Sequence, residues 1–315
     1  MGKQGYNRRD FLSALSLGTG YLMFSNPLTA CSNAAISTDP FQLVNLGDSG
    51  LKTTLLGMGT GIHGGDRQSF LTRQDFNKSL ALIKYAYDAG IRMFDSADTY
   101  GTHSLMAEAL KTIPRDKVTL VSKIWIREAS AIPEPERPDA DIVLERFLKE
   151  LKTDYIDLVQ LHCMVEGDWT DGFKRQMDIL ENLKSKGIIR AHGVSVHSTE
   201  AMKAALASPW VDVIHARINP YGIAMDQPEP EEVVSLIHQL HDSGKGVIGM
   251  KLVGNGNFRS DSEKIDNTLR FVLGLGSVDM IIVGFENSGQ IDDYTQRMKI
   301  ALTGMEAVLS GKETV

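Results

Sequence analysis

From residue 55 onward the chain alternates two patterns. Short runs of apolar and β-branched residues occur at Leu55–Gly59, Arg92–Asp95, Val118–Lys123, Ile156–His162, Ala191–Ser195, Val213–Arg217, Val247–Lys251 and Met280–Gly284. Their near-continuous apolarity predicts parallel strands buried on both faces. Between them lie longer segments with apolar positions at helical spacing. Phe76–Ala89 carries Leu80, Ile83 and Tyr87 and stops at Gly90. Asp141–Lys152, Phe173–Lys186 (stopped by Gly187), Glu231–Ser243 (entered from Pro230 and stopped by Gly244), Ser262–Leu273 and Gln290–Leu302 read the same way.

Strands alternating with helices require right-handed crossovers and a parallel sheet. Eight units in about 250 residues predict an α/β fold closed as a (β/α)8 TIM barrel in a single domain. A doubly wound sheet would carry a Gly-x-Gly-x-x-Gly turn after its first strand. Gly57-Met58-Gly59-Thr60-Gly61 is glycine-rich without that spacing. Ahead of the barrel, Phe41–Val44 and Lys52–Thr54 flank Gly47-Asp48-Ser49-Gly50, the pattern of a β-hairpin placed to cap the barrel bottom. The acidic, proline-rich stretch Ile132–Pro138 follows the third strand and is expected on the top face.

Composition agrees with a globular chain: 315 residues, 42% hydrophobic and 23% charged, with net charge −7. No basic stripe suggests nucleic acid. Two cysteines, Cys31 and Cys163, exclude a disulfide framework and a paired-cysteine metal site. No heptad seam specifies an oligomer, so the oligomeric state stays open.

The first thirty residues have a different character. Asn7-Arg8-Arg9-Asp10-Phe11-Leu12 precedes a mild apolar stretch to Phe24, softened by Gly18 and Gly20. This resembles a twin-arginine export signal and is too short and small-residue-rich for a membrane span. Leu28-Thr29-Ala30-Cys31 resembles a lipobox, whose cysteine would carry a lipid anchor. The expected organisation is a signal over 1–30, a tether over 31–40 and the barrel over 41–315, located in the periplasm or on a membrane through Cys31 alone. Loss of 1–30 removes Lys3, Arg8, Arg9 and Asp10 and leaves a net charge of −9.

In such a barrel the chemistry sits where strands end C-terminally. Asp95, Lys123 and His162 end three successive apolar strands, and Tyr100 follows Asp95 in a short loop. A buried lone charge is costly, so Asp95 and Lys123 should pair. A lysine beside a phenol should lower the Tyr100 pKa and make it a general acid. A neutral His162 could orient a carbonyl oxygen.

The segment Gly90-Ile91-Arg92-Met93-Phe94-Asp95-Ser96-Ala97-Asp98-Thr99-Tyr100-Gly101 resembles the aldo-keto reductase signature. Leu120-Val121-Ser122-Lys123 and Tyr155-Ile156-Asp157-Leu158-Val159-Gln160-Leu161-His162 resemble it too. The resemblance spans residues 43–303. It implies a proton-relay tetrad of Asp95, Tyr100, Lys123 and His162. It also implies hydride transfer between a nicotinamide and a carbonyl or alcohol substrate (aldehyde, ketone or sugar derivative). Its cofactor lies over the barrel top, on positions matching Gly59, Thr60, Gly61, Ser195, His215, Met250, Lys251, Gly284, Glu286, Asn287 and Gln290. Several depart from the family pattern. Val196 stands for the Asn after Ser195, His215 for a Gln, and Met250-Lys251 for Tyr-Ser. Glu286, Asp292 and Asp293 occupy a loop that usually offers cations to a 2′-phosphate. NADP is the implied cofactor, and the acidic loop leaves NAD open. Trp125, Trp169, Tyr221 and Phe258 are candidates to line the substrate pocket. The alternative reading is a non-catalytic, nucleotide-binding sensor barrel, which would not need a lysine-tuned tyrosine.

Overall fold

The computed structural model describes residues 37–127, 132, 137–226 and 229–309. The proposed signal, the lipobox at Cys31, most of the tether and most of the loop Ile132–Pro138 lie outside the described residues.

A hairpin of β1 (Leu43–Asn45) and β2 (Lys52–Thr54) comes first, in antiparallel register. Eight parallel strands then close into a barrel: β3 (Leu56–Gly59), β4 (Met93–Asp95), β5 (Thr119–Ile124), β6 (Ile156–Met164), β7 (Ile189–Val196), β8 (Val213–Arg217), β9 (Gly246–Met250) and β10 (Met280–Gly284). They follow chain order around the ring, and β10 returns to pair with β3. All eight runs read from the sequence form strands, and the six expected helices form within a few residues of their predicted starts. The last of them is longer than expected, running Ser288–Leu309.

Helices Phe70–Arg73, His103–Ala109, Trp169–Gly172 and Thr199–Ala207 were not legible as periodic segments. His103–Ala109 is buried at five of its seven positions, so it lacks the polar face that makes a helix readable. Thr199–Ala207 is alanine-rich and only weakly amphipathic, and it is started by Ser198, whose Oγ accepts from the Ala201 N–H.

The hairpin plugs the N-terminal end of the barrel, as its position predicted. Leu46 and Leu51 join the first layer of inward residues, including Met93, Val121, Leu158, Ala191, Val213, Ile248 and Met280. Full burial of each of these side chains larger than Ala191 contributes about 1.5–3 kcal/mol. Gly47 is required here: its φ is +49°, and a Cβ would lie 2.3 Å from the Gly244 carbonyl oxygen. Asp157, near the start of β6, is a second clasp at this end. It accepts from Arg115 at 2.7 Å, from Arg190 at 3.0 Å and from the Leu120 N–H at 2.9 Å. Both guanidiniums also cover the Tyr155 ring. With this end sealed, the opposite end is where a ligand can enter. No helix among the described residues is long and apolar enough to cross a membrane.

Strand β7 approaches β8 closely at Gly193, where a Cβ would fall 1.8 Å from the Val213 carbonyl oxygen. Because that obstacle is ladder backbone, Gly193→Ala should destabilise the fold by about 3 kcal/mol or more. Urea denaturation measures this, and a midpoint equal to that of the parent would refute the close approach.

Candidate active site

The C-terminal ends of β4, β5 and β6 bring Asp95, Lys123 and His162 to one side of the barrel mouth. Side chains in a strand alternate faces. Asp95 is paired in register with Val121, an inward residue, and Lys123 lies two positions beyond Val121 on the same face. Lys123 Nζ donates to Asp95 Oδ1 at 2.5 Å and to the Ser96 carbonyl at 3.0 Å, and the lysine is 1% exposed. The expected ion pair is present.

Burial alone would raise the Asp95 carboxyl, but Lys123 and His215 hold it far below the usual carboxylate range. Burial pulls Lys123 below its ordinary value, and Asp95 opposes that pull. His162 is held well below its ordinary value by burial and by the nearby Lys123 charge, so it is neutral near pH 7. Tyr100 Oη lies 3.5 Å from His162 Nε2, and the two rings meet edge to face. One substrate oxygen can therefore contact both groups.

Tyr100 corrects one expectation. Its phenol is raised, first by burial and then by the Asp95 charge, and these outweigh what reaches it of the Lys123 field. The reason is geometric. The ammonium is committed to Asp95 and lies 5.3 Å from the Tyr100 ring centre. Tyr100 thus rests as a protonated donor.

The short turn Asp98–Tyr100 that carries the phenol is gripped from behind. Asp98, 4% exposed, accepts from Arg146 at 3.0 and 2.6 Å and from Arg67 at 3.0 Å. Arg146 continues to Glu150, Glu150 to His103, and His103 Nε2 meets Ser122 Oγ at 2.8 Å, beside Lys123. In front, Gly61 and Gly64 make room for the ring: a Cβ at either would lie 2.4 and 2.5 Å from Tyr100 carbons. This close approach accounts for Gly61 in the glycine-rich turn.

A cavity of about 240 Å³ opens over the tetrad. All four tetrad residues line it, as do Gly59, Gly61, Ser195, Met250, Lys251, Gly284, Glu286 and Gln290 among the expected cofactor positions. Three expected positions do not. Thr60 is buried and donates to the Asp95 carbonyl at 2.9 Å. His215 is wholly buried behind Asp95. Asn287 accepts from the Gln290 N–H at the start of the last helix. Trp169 is also no pocket residue, since it packs against Trp210 and donates to the Ala201 carbonyl. Tyr221 and Phe258 pack on each other, whereas Trp125 meets the His162 ring edge to face.

The sequence reading missed His197 and Arg259, both on the cavity wall. His197 Nδ1 lies 3.0 Å from Cys163 Sγ, and burial with the Arg217 charge brings this imidazole down to about 3. Its only sequence signal is its place just past a strand end. Lys251 has a left-handed φ of +61°, and its ammonium donates to Asn255 Oδ1 at 2.9 Å. Among the described residues, no group of three or more His, Cys, Asp or Glu converges to hold a metal.

The fold is thus a closed (β/α)8 barrel with Asp95, Tyr100, Lys123 and His162 gathered at its strand ends. Residues 55–269, more than half of the chain, match the Aldo/keto reductase family, and the protein belongs to that family. The "Probable aldo-keto reductase 1" of Glycine max is 28% identical over 223 residues, covering 69% of this chain and 61% of that protein. The matched region thus spans less than two thirds of that relative. The crystal structure of PA4992, the putative aldo-keto reductase from Pseudomona aeruginosa, superposes with a TM-score of 0.66 at 24% identity, over 82% of this chain and 96% of that one. An aldo/keto reductase from Klebsiella pneumoniae, in complex with NADP and acetate, gives 0.58 at 19% identity over 84% and 94%. At these identities the structural likeness speaks to the fold alone.

Two predictions follow from the electrostatics and the clamp. Arg146→Met should loosen the Tyr100 turn and lower kcat about tenfold or more, with nucleotide affinity kept. Steady-state rates and a fluorescence titration check this, and an unchanged kcat would dismiss the clamp. His162, His192, His197 and His215 are all lowered by burial, so below about pH 6.5 the unfolded chain binds protons that the folded chain refuses. Stability should therefore fall as pH drops below that value. The ionised Asp95 adds to the loss further into acid. Urea midpoints at about pH 7.5 and 5 test the sign.

Proposed function

We propose that this protein is a nicotinamide-dependent oxidoreductase that interconverts carbonyl and alcohol groups on small molecules such as aldehydes, ketones or sugar derivatives, with Tyr100 as the proton donor and acceptor. The observation that carries the reading is the convergence of Tyr100 and His162 at 3.5 Å over a buried Lys123–Asp95 pair, inside a cavity that continues toward Gly284 and Gln290. A binding protein has no need of such a group, which weighs against the sensor alternative.

The lining of the cavity suits the part of a dinucleotide that would enter the barrel mouth. Gly59 and Gly284 line the wall beside the tetrad, and Met250 offers a polarizable face. Lys251 and Arg259 can face phosphates, and Gln290 lies beyond them. NADP is the cofactor expected of the family, and the Klebsiella pneumoniae relative carries it. The acid at Glu286 leaves NAD as the second candidate. When bound, the nicotinamide supplies or receives the hydride.

The protein's own residues do the rest. The substrate oxygen accepts from the Tyr100 hydroxyl and from His162 Nε2–H, which sets its angle. Neutral His162 can donate without adding charge. As the oxygen gains negative charge, Tyr100 passes its proton to it. The phenolate that forms is then opposed by the Lys123 ammonium near its ring. Asp95 keeps that ammonium charged in a buried place. In the oxidation direction the same proton returns to Tyr100.

The location is proposed from motifs alone. Arg8-Arg9 with its apolar stretch supports export by the twin-arginine route, and Leu28–Cys31 supports a lipid anchor. Export of the folded protein with its nucleotide already loaded would meet the scarcity of free nucleotide outside the cytoplasm.

Tyr100→Phe should lower turnover by about 10²- to 10⁴-fold and leave nucleotide affinity within about twofold. Turnover equal to the parent would remove Tyr100 from the reaction. Mass analysis of nucleotide released from the purified, denatured protein would identify the cofactor.

A further inference from the structure

His215 lies in the middle of β8 and is wholly buried. Its Nε2 lies 3.2 Å from Asp95 Oδ1, the same oxygen that accepts from Lys123 Nζ. The approach is off the line of a hydrogen bond, so neither ring nitrogen has a hydrogen-bond partner among the described residues. A buried imidazole N–H without an acceptor is costly, and Asp95 is the acceptor within reach. A small rotation of the ring completes the bond. His215 does not line the cavity, so its contact with the site runs through Asp95.

Resting on the oxidoreductase reading, we propose that His215 is a positioning residue of the proton relay, which donates Nε2–H to Asp95 Oδ1 and divides that carboxylate's charge between itself and Lys123. The physical consequence falls on Tyr100. Asp95 disfavours the Tyr100 phenolate, and Lys123 favours it. Each share of Asp95's charge that His215 takes leaves more of the lysine field for the phenol.

His215 serves this role as the neutral ring. Burial favours that form, and so does the nearby Lys123 ammonium, with Asp95 acting in the opposite sense. The titratable groups around it are Asp95 on β4, Lys123 on β5 and neutral His162 on β6. Its register partners on the flanking strands, Ser195 on β7 and Ile248 on β9, carry no charge. The position thus works on the relay from behind the reacting atoms.

His215→Leu keeps an apolar side chain of similar bulk and removes the donor, whereas His215→Gln keeps an N–H. The experiment measures kcat/KM for alcohol oxidation against pH with the oxidised nucleotide, together with nucleotide Kd by protein fluorescence. In His215→Leu the rise of oxidation with pH should move upward, making the reaction about three- to tenfold slower at neutral pH. Nucleotide Kd should stay within about twofold, and His215→Gln should recover most of the rate. An unmoved pH profile overturns the proposal, whatever happens to kcat. So does a nucleotide Kd weakened by about tenfold with an unmoved profile, because His215 would then be holding the nucleotide. If the parent protein turns over no carbonyl or alcohol, the oxidoreductase reading fails by itself. The contact is then judged on histidine-labelled protein by NMR. An Nε2-bound proton of His215, assigned from His215→Gln, should resist exchange and lose that protection in Asp95→Leu. A freely exchanging proton overturns the contact.

Discussion

The structure turns on one buried ion pair. Lys123 and Asp95 lie inside the barrel, where an unpaired charge of either sign is expensive. Neither can be there without the other, and the two come from adjacent strands. Their pairing therefore ties the register of β4 and β5 to the chemistry of the mouth. It also explains why the lysine, although close to Tyr100, leaves the resting phenol protonated. The ammonium is held by the carboxylate, and what reaches the tyrosine is the remainder of its field.

Around that pair the two ends of the barrel have opposite tasks. At the N-terminal end, the hairpin leucines and the Asp157 clasp close the interior and exclude water. At the other end, glycines open space. Gly61 and Gly64 admit the Tyr100 ring, and Gly284 leaves room for the Ile62 side chain on the cavity wall. Stability is concentrated where no ligand goes. The Tyr100 turn is the exception at the open end, because the Asp98–Arg146 clamp holds it to the helix Ala140–Leu151.

The eight strands were legible because parallel strands buried on both faces read as continuous apolar runs, most of them broken by a charged or polar residue near the mouth. That same break marks Asp95, Lys123 and His162. The cofactor positions were less legible. Ser195, Met250, Lys251, Gly284, Glu286 and Gln290 reach the cavity, whereas Thr60, His215 and Asn287 serve neighbouring backbone, a carboxylate or a helix start. A loop position says where the chain passes and not which way its side chain turns. His197 and Arg259 escaped notice for the converse reason, since nothing near them in the chain marks them as cavity residues.

The order of patterns along the chain determined the architecture. Apolar runs alternating with amphipathic segments can bury their surfaces in few ways, and the hairpin ahead of them has one open end to cover. The sequence also determined which ionisable residues end the strands. The tertiary structure alone decided how their charges are shared: that Lys123 leans on Asp95, that Tyr100 stays protonated, that His162 stays neutral, and that His215 stands behind Asp95 and away from the cavity. Those outcomes depend on distances of a few ångströms and on the exclusion of water. Both arise only when strands far apart in sequence are brought side by side.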